Sequence, residues 1–106
     1  MSLLKRILKS INGTKAINTK ILKGVRIGYR FIIITEGKTA AHINTISSEI
    51  SWVLKGSERS GILISSWNQK DWKVVASKNA MVHIMNSNSR NYYNIETLFE
   101  SADLIT

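Results

Sequence analysis

No cysteine occurs in the 106 residues, which excludes disulfides and thiolate metal sites and suits a reducing compartment. Proline is equally absent, so chain reversals must rest on glycine, asparagine and serine. The longest uninterrupted apolar run is Phe31-Ile32-Ile33-Ile34, far short of the ~20 residues of a membrane-spanning helix. No membrane partner is therefore expected. Acids are scarce: seven Asp and Glu against 15 Lys and Arg leave a net charge of +8. Residues 1–30 hold Lys5, Arg6, Lys9, Lys15, Lys20, Lys23, Arg26 and Arg30 without one acid. Residues 91–106 invert the bias, with Glu96, Glu100 and Asp103 and no base.

With 43% hydrophobic residues spread along its length, the chain has the apolar content to fold, and its size suits a single domain over residues 1–106. The basic surplus favours encounter with polyanions, nucleic acid or ribosome first. Codon bias toward Lys, Asn and Ile in an AT-rich genome produces the same count without any such partner.

Leu3, Leu4, Ile7, Leu8 and Ile11 recur at helical spacing opposite Lys5, Arg6 and Lys9, so residues 1–12 read as a basic amphipathic helix. A basic, serine-containing, acid-free start also fits an organelle presequence; the helix reading instead lays the apolar stripe on a sheet. Gly13 is the expected left-handed cap. A strand is predicted over 19–22. From Val25, apolar residues alternate with Arg26, Gly28 and Arg30 and run into Ile32-Ile33-Ile34. That is a strand passing from half to full burial, or in part an ordered connection. Thr39 is placed to cap a helix with inner stripe Ile43, Ile46, Ile50, Val53 and Leu54, and Gly56 to end it. Strands follow at 61–66, 72–76 and 80–85, the last two joined by Ser77-Lys78-Asn79. On the final strand Met81, His83 and Met85 oppose Ala80, Val82 and Ile84. Residues 86–89 form a polar break before a last helix with stripe Tyr92, Ile95, Leu98, Phe99 and Ala102. The fold class is α/β (α+β), a mixed five-stranded sheet with flanking helices.

Catalytic motifs are incomplete. Gly37-Lys38-Thr39 follows a strand, but a phosphate loop needs glycine at position 32, which is Ile32, and no strand ends in the required Asp. The amides opening that helix remain open to an anion. Gly56-Ser57 after a helix hints at nucleotidyl transfer, yet no two carboxylates stand two residues apart to hold metal ions. His42 and His83 lack ligand spacing and read as structural or interface groups. No G-x-S-x-G surrounds a serine. Catalysis, metal and cofactor are thus not expected.

Surfaces remain. Trp52 neighbours the core stripe of its helix and reads as packing. Trp67 ends a strand, as rim or core. Trp72 begins one, where an indole can lie half exposed as a binding anchor.

The runs Asp71-Trp72-Lys73-Val74-Val75, Met81-Val82-His83-Ile84-Met85 and Ser89-Arg90-Asn91-Tyr92-Tyr93-Asn94-Ile95-Glu96-Thr97-Leu98-Phe99 resemble the ribosomal silencing factor (Iojap, RsfS) family. Its pattern is a D-W-x-V/L-V/L strand, a V-V-H-V/I-F/M strand and an R-x-Y-Y-x-L-E-x-L-W helix. Gly37, Thr39 and His42 fit its G-T-S-x-R-H segment. The likeness covers about residues 15–102. Departures mostly remove negative charge. Arg30 stands where the family has an acid, Ala76 replaces Asp, Ser65 and Ser66 replace Glu-Gly, and Lys78-Asn79 replace Gly-Asp. Phe99 replaces the last Trp.

The resemblance implies a nucleotidyltransferase-like fold without catalytic carboxylates. It also implies docking on ribosomal protein fourteen of the large subunit, which excludes the small subunit and represses translation. The expected docking face is Trp72, Val74, Met81, His83, Tyr92 and Tyr93. Trp72 would be its anchor, Tyr93 a better-placed contact than Tyr92, which also sits on the core stripe of its helix, and Arg90 and Glu96 would orient the last helix. The family's partner is basic, so a +8 chain must lean on apolar contact or on flanking ribosomal RNA. The rival expectation is an RNA-binding module acting through the basic first 30 residues. A homodimer through a free sheet edge is a third possibility. The compartment implied is bacterial cytoplasm, or a mitochondrial or plastid matrix.

Overall fold

A computed structural model describes residues 2–23, 30–57, 63–68, 71–95 and 103–104. Among them, helix α1 (Leu3–Gly13) precedes strands β1 (Ile17–Lys23) and β2 (Phe31–Glu36). Helix α2 (Ala40–Ser57) leads to β3 (Leu63–Asn68), β4 (Trp72–Ala76) and β5 (Ala80–Met85), and α3 (Ser87–Tyr93) precedes the two-residue β6 (Asp103–Leu104). The sheet order is β3-β4-β5-β2-β1-β6. β2 and β5 pair in parallel and the other neighbours antiparallel, the mixed α+β architecture read from the sequence, but with six strands instead of five, because β6 pairs with β1.

β2 and β5 are central, and their apolar residues serve two cores. Ile21, Ile33, Val75, Ala80, Val82 and Ile84 face the layer made by α1 and α2, with Ile7, Ile11, Ile43, Ile46, Ile50 and Leu54. Leu22, Ile32, Ile34, Trp72, Val74 and Met85 form a second cluster on the opposite face, joined by Ile95. A strand buried on both sides must be continuously apolar, which accounts for Ile32-Ile33-Ile34.

α1 belongs to the packed core, but it lies chiefly against α2 rather than on the sheet. Its end also differs from expectation. Gly13 is the last helical residue, and the left-handed position is taken by Lys15, with φ 59°. The Lys15 amide donates to the Asn12 carbonyl and the Ala16 amide to that of Ile11, each at 3.1 Å, the paired bonds of a Schellman ending.

Thr39 does cap α2: its Oγ1 accepts the His42 amide at 3.0 Å. The helix continues past Gly56 to Ser57, so Gly56 does not end it. Gly37 is required by space, since a Cβ there would lie 2.8 Å from Ile43 Cγ1. The third strand falls at Leu63–Asn68, two residues later than predicted.

The last helix departs most. It begins inside the predicted polar break, because the Asn86 side chain caps it by accepting the Ser89 amide at 2.8 Å. It stops at Tyr93, where Asn94 turns left-handed with φ 45°. Leu98, Phe99, Ala102 and Glu96, the alternation at 25–29 and the Trp67 side chain lie outside the described residues.

Candidate functional site

β4 and β5 set four of the six expected contact residues side by side. In register, Trp72 pairs with Met85 and Val74 with His83, so Trp72, Val74, Met81 and His83 share the face away from α1 and α2. α3 crosses the end of this face and adds Tyr93 and Tyr92. The six residues come together.

Their arrangement is an aromatic ladder. The His83 and Trp72 ring centroids are 5.8 Å apart, Trp72 and Tyr93 are 5.0 Å apart, and Tyr93 meets Tyr92 edge-on at 5.0 Å. Burial falls along it. His83 is buried, Trp72 is 8% exposed, Tyr93 44% and Tyr92 83%. Trp72 is therefore not the half-exposed anchor predicted from its strand position, because His83 and Tyr93 flank the indole. The order of the tyrosines is also reversed, Tyr92 being the more exposed. The short α3 buries Ser89 and Arg90, which puts Tyr93 on the inner side and turns Tyr92 outward.

The inner end of the ladder has a defined protonation state. Trp72 Nε1 donates to His83 Nδ1 at 3.0 Å, and an indole can only donate. Nδ1 therefore carries a lone pair, and the neutral ring presents its Nε2–H to Met81 Sδ at 3.1 Å. Burial works in the same direction, lowering the His83 pKa to about 4. His83 is a fixed acceptor for the indole rather than a metal ligand.

Two polar links hold α3 in place. Asn86 Nδ2 donates to the Asp71 carboxylate at 2.8 Å and its amide to the Asp71 carbonyl at 3.0 Å, so the residue before Trp72 positions the cap of α3. Arg90 Nη1 contacts Glu36 Oε2 at 2.8 Å with both side chains buried and also reaches the Asn18 carbonyl. Asn18 Nδ2 meets the other Glu36 oxygen at 3.4 Å. Sequence reading named Arg90 but missed Glu36, Asp71 and Asn86. The signal for Glu36 was its position, an isolated acid directly after an apolar strand, where an unpaired charge is costly.

The phosphate-loop region uses its amides internally. Gly37 donates to the Met85 carbonyl at 2.9 Å, Lys38 to His42 Nδ1 at 3.0 Å, and His42 to Thr39. His42 Nε2 meets the Thr14 carbonyl at 2.6 Å, tying the end of α1 to the start of α2. The amides of Gly37, Lys38 and His42 are thereby occupied, and His42 is a structural group. Trp52, read as packing, is 76% exposed on the outer surface of α2.

A crystal structure of a Chromobacterium violaceum protein shares the fold with TM-score 0.81 at 19% identity, covering 92% of this chain and 82% of that one. A Bacillus halodurans protein aligns with TM-score 0.81 at 22% identity over 98% and 96% of the two chains. No curated protein matches the chain. The family model described as ribosomal silencing factor during starvation matches residues 2–106. That match takes in the Trp72 strand, the His83 strand and the Arg90 helix in one alignment, and the chain belongs to the ribosomal silencing factor (RsfS) family of ribosome-associated translation repressors.

Proposed function

We propose that this chain docks through the aromatic ladder on ribosomal protein fourteen of the large subunit and keeps the small subunit from joining. The observation that supports this most directly is the graded burial from His83 to Tyr92. Hydrogen-bonded groups at its base hold a rigid platform, and two tyrosines stand outward on it. Aromatic side chains of this kind desolvate readily and lose little conformational freedom, the usual properties of an interface hot spot. Tyr92, Tyr93 and Met81 make the contact in this reading, while Trp72, Val74 and His83 support them from beneath.

Repression then follows from exclusion alone, and the domain needs no turnover, cofactor or metal. Arg90 sets the tilt of α3 and hence where the tyrosines stand; Glu96, in the same family motif, is assigned the same orienting role. The site of action is where ribosomes are, the cytoplasm of a bacterium or an organelle matrix. The free protein has a second association mode available through the outer edge of β3, a homodimer across sheet edges.

Co-sedimentation with isolated large subunits, followed by addition of small subunits, tests the reading. The folded protein should travel with large subunits and lower the yield of joined ribosomes. Undiminished joining at full occupancy contradicts exclusion, and a Tyr92→Ala, Tyr93→Ala double variant with full occupancy contradicts the docking face. A basic RNA-binding module is the second reading, and the cations of α1 beside the exposed Trp52 favour it. It requires binding to free RNA that weakens steeply with salt.

A further inference from the structure

On the side of the sheet away from the aromatic ladder, α1 and α2 bound an open groove of about 880 Å³. Two helical stripes form its walls. Arg6, Lys9, Ser10 and Gly13 recur every three or four residues along α1, and Glu49 and Trp52 belong to the facing stripe of α2. Lys15 closes one end. The groove thus gathers three cations and one carboxylate around an indole that is 76% exposed.

The indole adds nothing to the buried core, and at the left-handed end of α1 a glycine would serve the fold better than Lys15. Trp52 lies outside the buried stripe of Ile43, Ile46, Ile50 and Leu54, and an exposed Trp leaves a large apolar surface in water. Lys15 occupies a left-handed backbone position, φ 59°, where glycine or asparagine is far easier to accommodate. Departures of this kind gather at functional positions. Beneath them, Ser10 Oγ is shut off from solvent with no hydrogen-bond partner among the described residues.

We propose that this groove binds a single-stranded segment of RNA, Trp52 stacking on a base while Lys9, Lys15 and Arg6 neutralise the flanking phosphates. An exposed aromatic ring among cations is the arrangement that takes unpaired nucleotides without reading their sequence. Duplex RNA keeps its bases stacked inside the helix and offers Trp52 no face. The proposal gives the RNA-binding reading a location and a ligand class. It does not depend on the docking face, from which the sheet separates it.

The test uses the full chain and a fluorescein-labelled oligouridylate of ~12 nucleotides, with no ribosome present, so that failure here and failure of docking are read separately. Binding should weaken with salt on a log–log slope of about −2, as three neutralised phosphates predict for a single strand. Trp52→Ala should lose about tenfold or more in affinity, with Trp52→Phe intermediate. Lys15→Gly supplies a control on folding, because it relieves the left-handed residue. Its thermal midpoint should rise while its RNA affinity falls several-fold, a combination that structural damage does not produce. Unchanged affinity in Trp52→Ala overturns the site and leaves only a basic surface. Equal affinity for a duplex of the same length overturns the single-strand assignment. Binding that needs Trp52 but ignores salt overturns the phosphate-neutralising role given to Arg6, Lys9 and Lys15.

Discussion

Trp72 and His83 are joined edge to edge by a hydrogen bond from the indole Nε1–H to imidazole Nδ1, 3.0 Å long, inside the second core of the sheet. The pair links adjacent strands and fixes both rings. Its existence requires His83 to be neutral, and the surrounding burial enforces that state by depressing the pKa to about 4.

The first prediction is a pH dependence of stability. An unfolded histidine takes up its proton near pH 6.5, whereas His83 in the fold does so only near 4. Below pH 6.5 the unfolded chain therefore binds more protons than the folded one. The stabilisation from the neutral ring is complete above that pH and is lost as pH falls toward 4. By pH 5 the loss from this residue is on the order of 2 kcal/mol. Urea unfolding of the wild type and of His83→Gln at pH 7.5 and 5 isolates it. The wild type should lose more stability than the variant, and equal losses contradict the assignment.

The buried Arg90–Glu36 pair makes a second. Arg90→Ala leaves the Glu36 carboxylate buried without its charge partner, a change that costs about 3–5 kcal/mol. Replacing both, as Glu36→Gln with Arg90→Met, removes the stranded charge and should recover part of the loss. Urea midpoints of the two variants decide the matter; the double variant falling below Arg90→Ala would contradict it.

Gly37 supplies a third. In Gly37→Ala the new methyl meets Ile43 Cγ1 at 2.8 Å and the Ile43 amide nitrogen at 3.1 Å, so the start of α2 must shift. Overpacking of this kind costs about 1–3 kcal/mol, visible as a lower thermal midpoint. Gly13, the last residue of α1, has nothing within 4 Å of such a Cβ, and Gly13→Ala should leave the midpoint level or raise it.

The fourth separates support from contact. Trp72→Ala removes a ring that is 8% exposed and should cost about 3–5 kcal/mol in folding stability. Tyr93→Ala should instead cost about 2 kcal/mol or more in binding to isolated ribosomal protein fourteen, with a smaller change in its unfolding midpoint. Calorimetric titration and thermal melts on the same two proteins give both numbers. A Tyr93→Ala protein that binds at full strength removes this face as the docking surface.

Much of the fold was legible in the residues. The period-two pattern of Ala80 to Met85 predicted which side chains share a face, and Met81, His83 and Met85 do oppose Val82 and Ile84. Thr39 announced its cap. The isoleucine run marked a strand covered on both sides. The family resemblance rested on spacing across strands and helix that no single motif carried.

Burial of the site residues was not legible, and the reasons are specific. Trp72 starts a strand, and nothing local told that His83 and Tyr93 would flank its ring. Tyr92 and Tyr93 exchanged roles because α3 begins at Ser87, right after its cap Asn86, which is held by Asp71, fifteen residues earlier. Gly13 lost the left-handed position to Lys15, since the bonds that close α1 run from the Lys15 and Ala16 amides to the Asn12 and Ile11 carbonyls, which keeps Gly13 inside the helix.

The order of elements from α1 to α3, the two apolar faces and the basic bias of the first 30 residues followed from the sequence, because they depend on short-range periodicity and on counting charges. Exposure of Trp52, concealment of Trp72 and the pairing of Glu36 with Arg90 were decided only by tertiary structure. Each depends on which distant side chain occupies the neighbouring space, and that is settled when helices and sheet pack together.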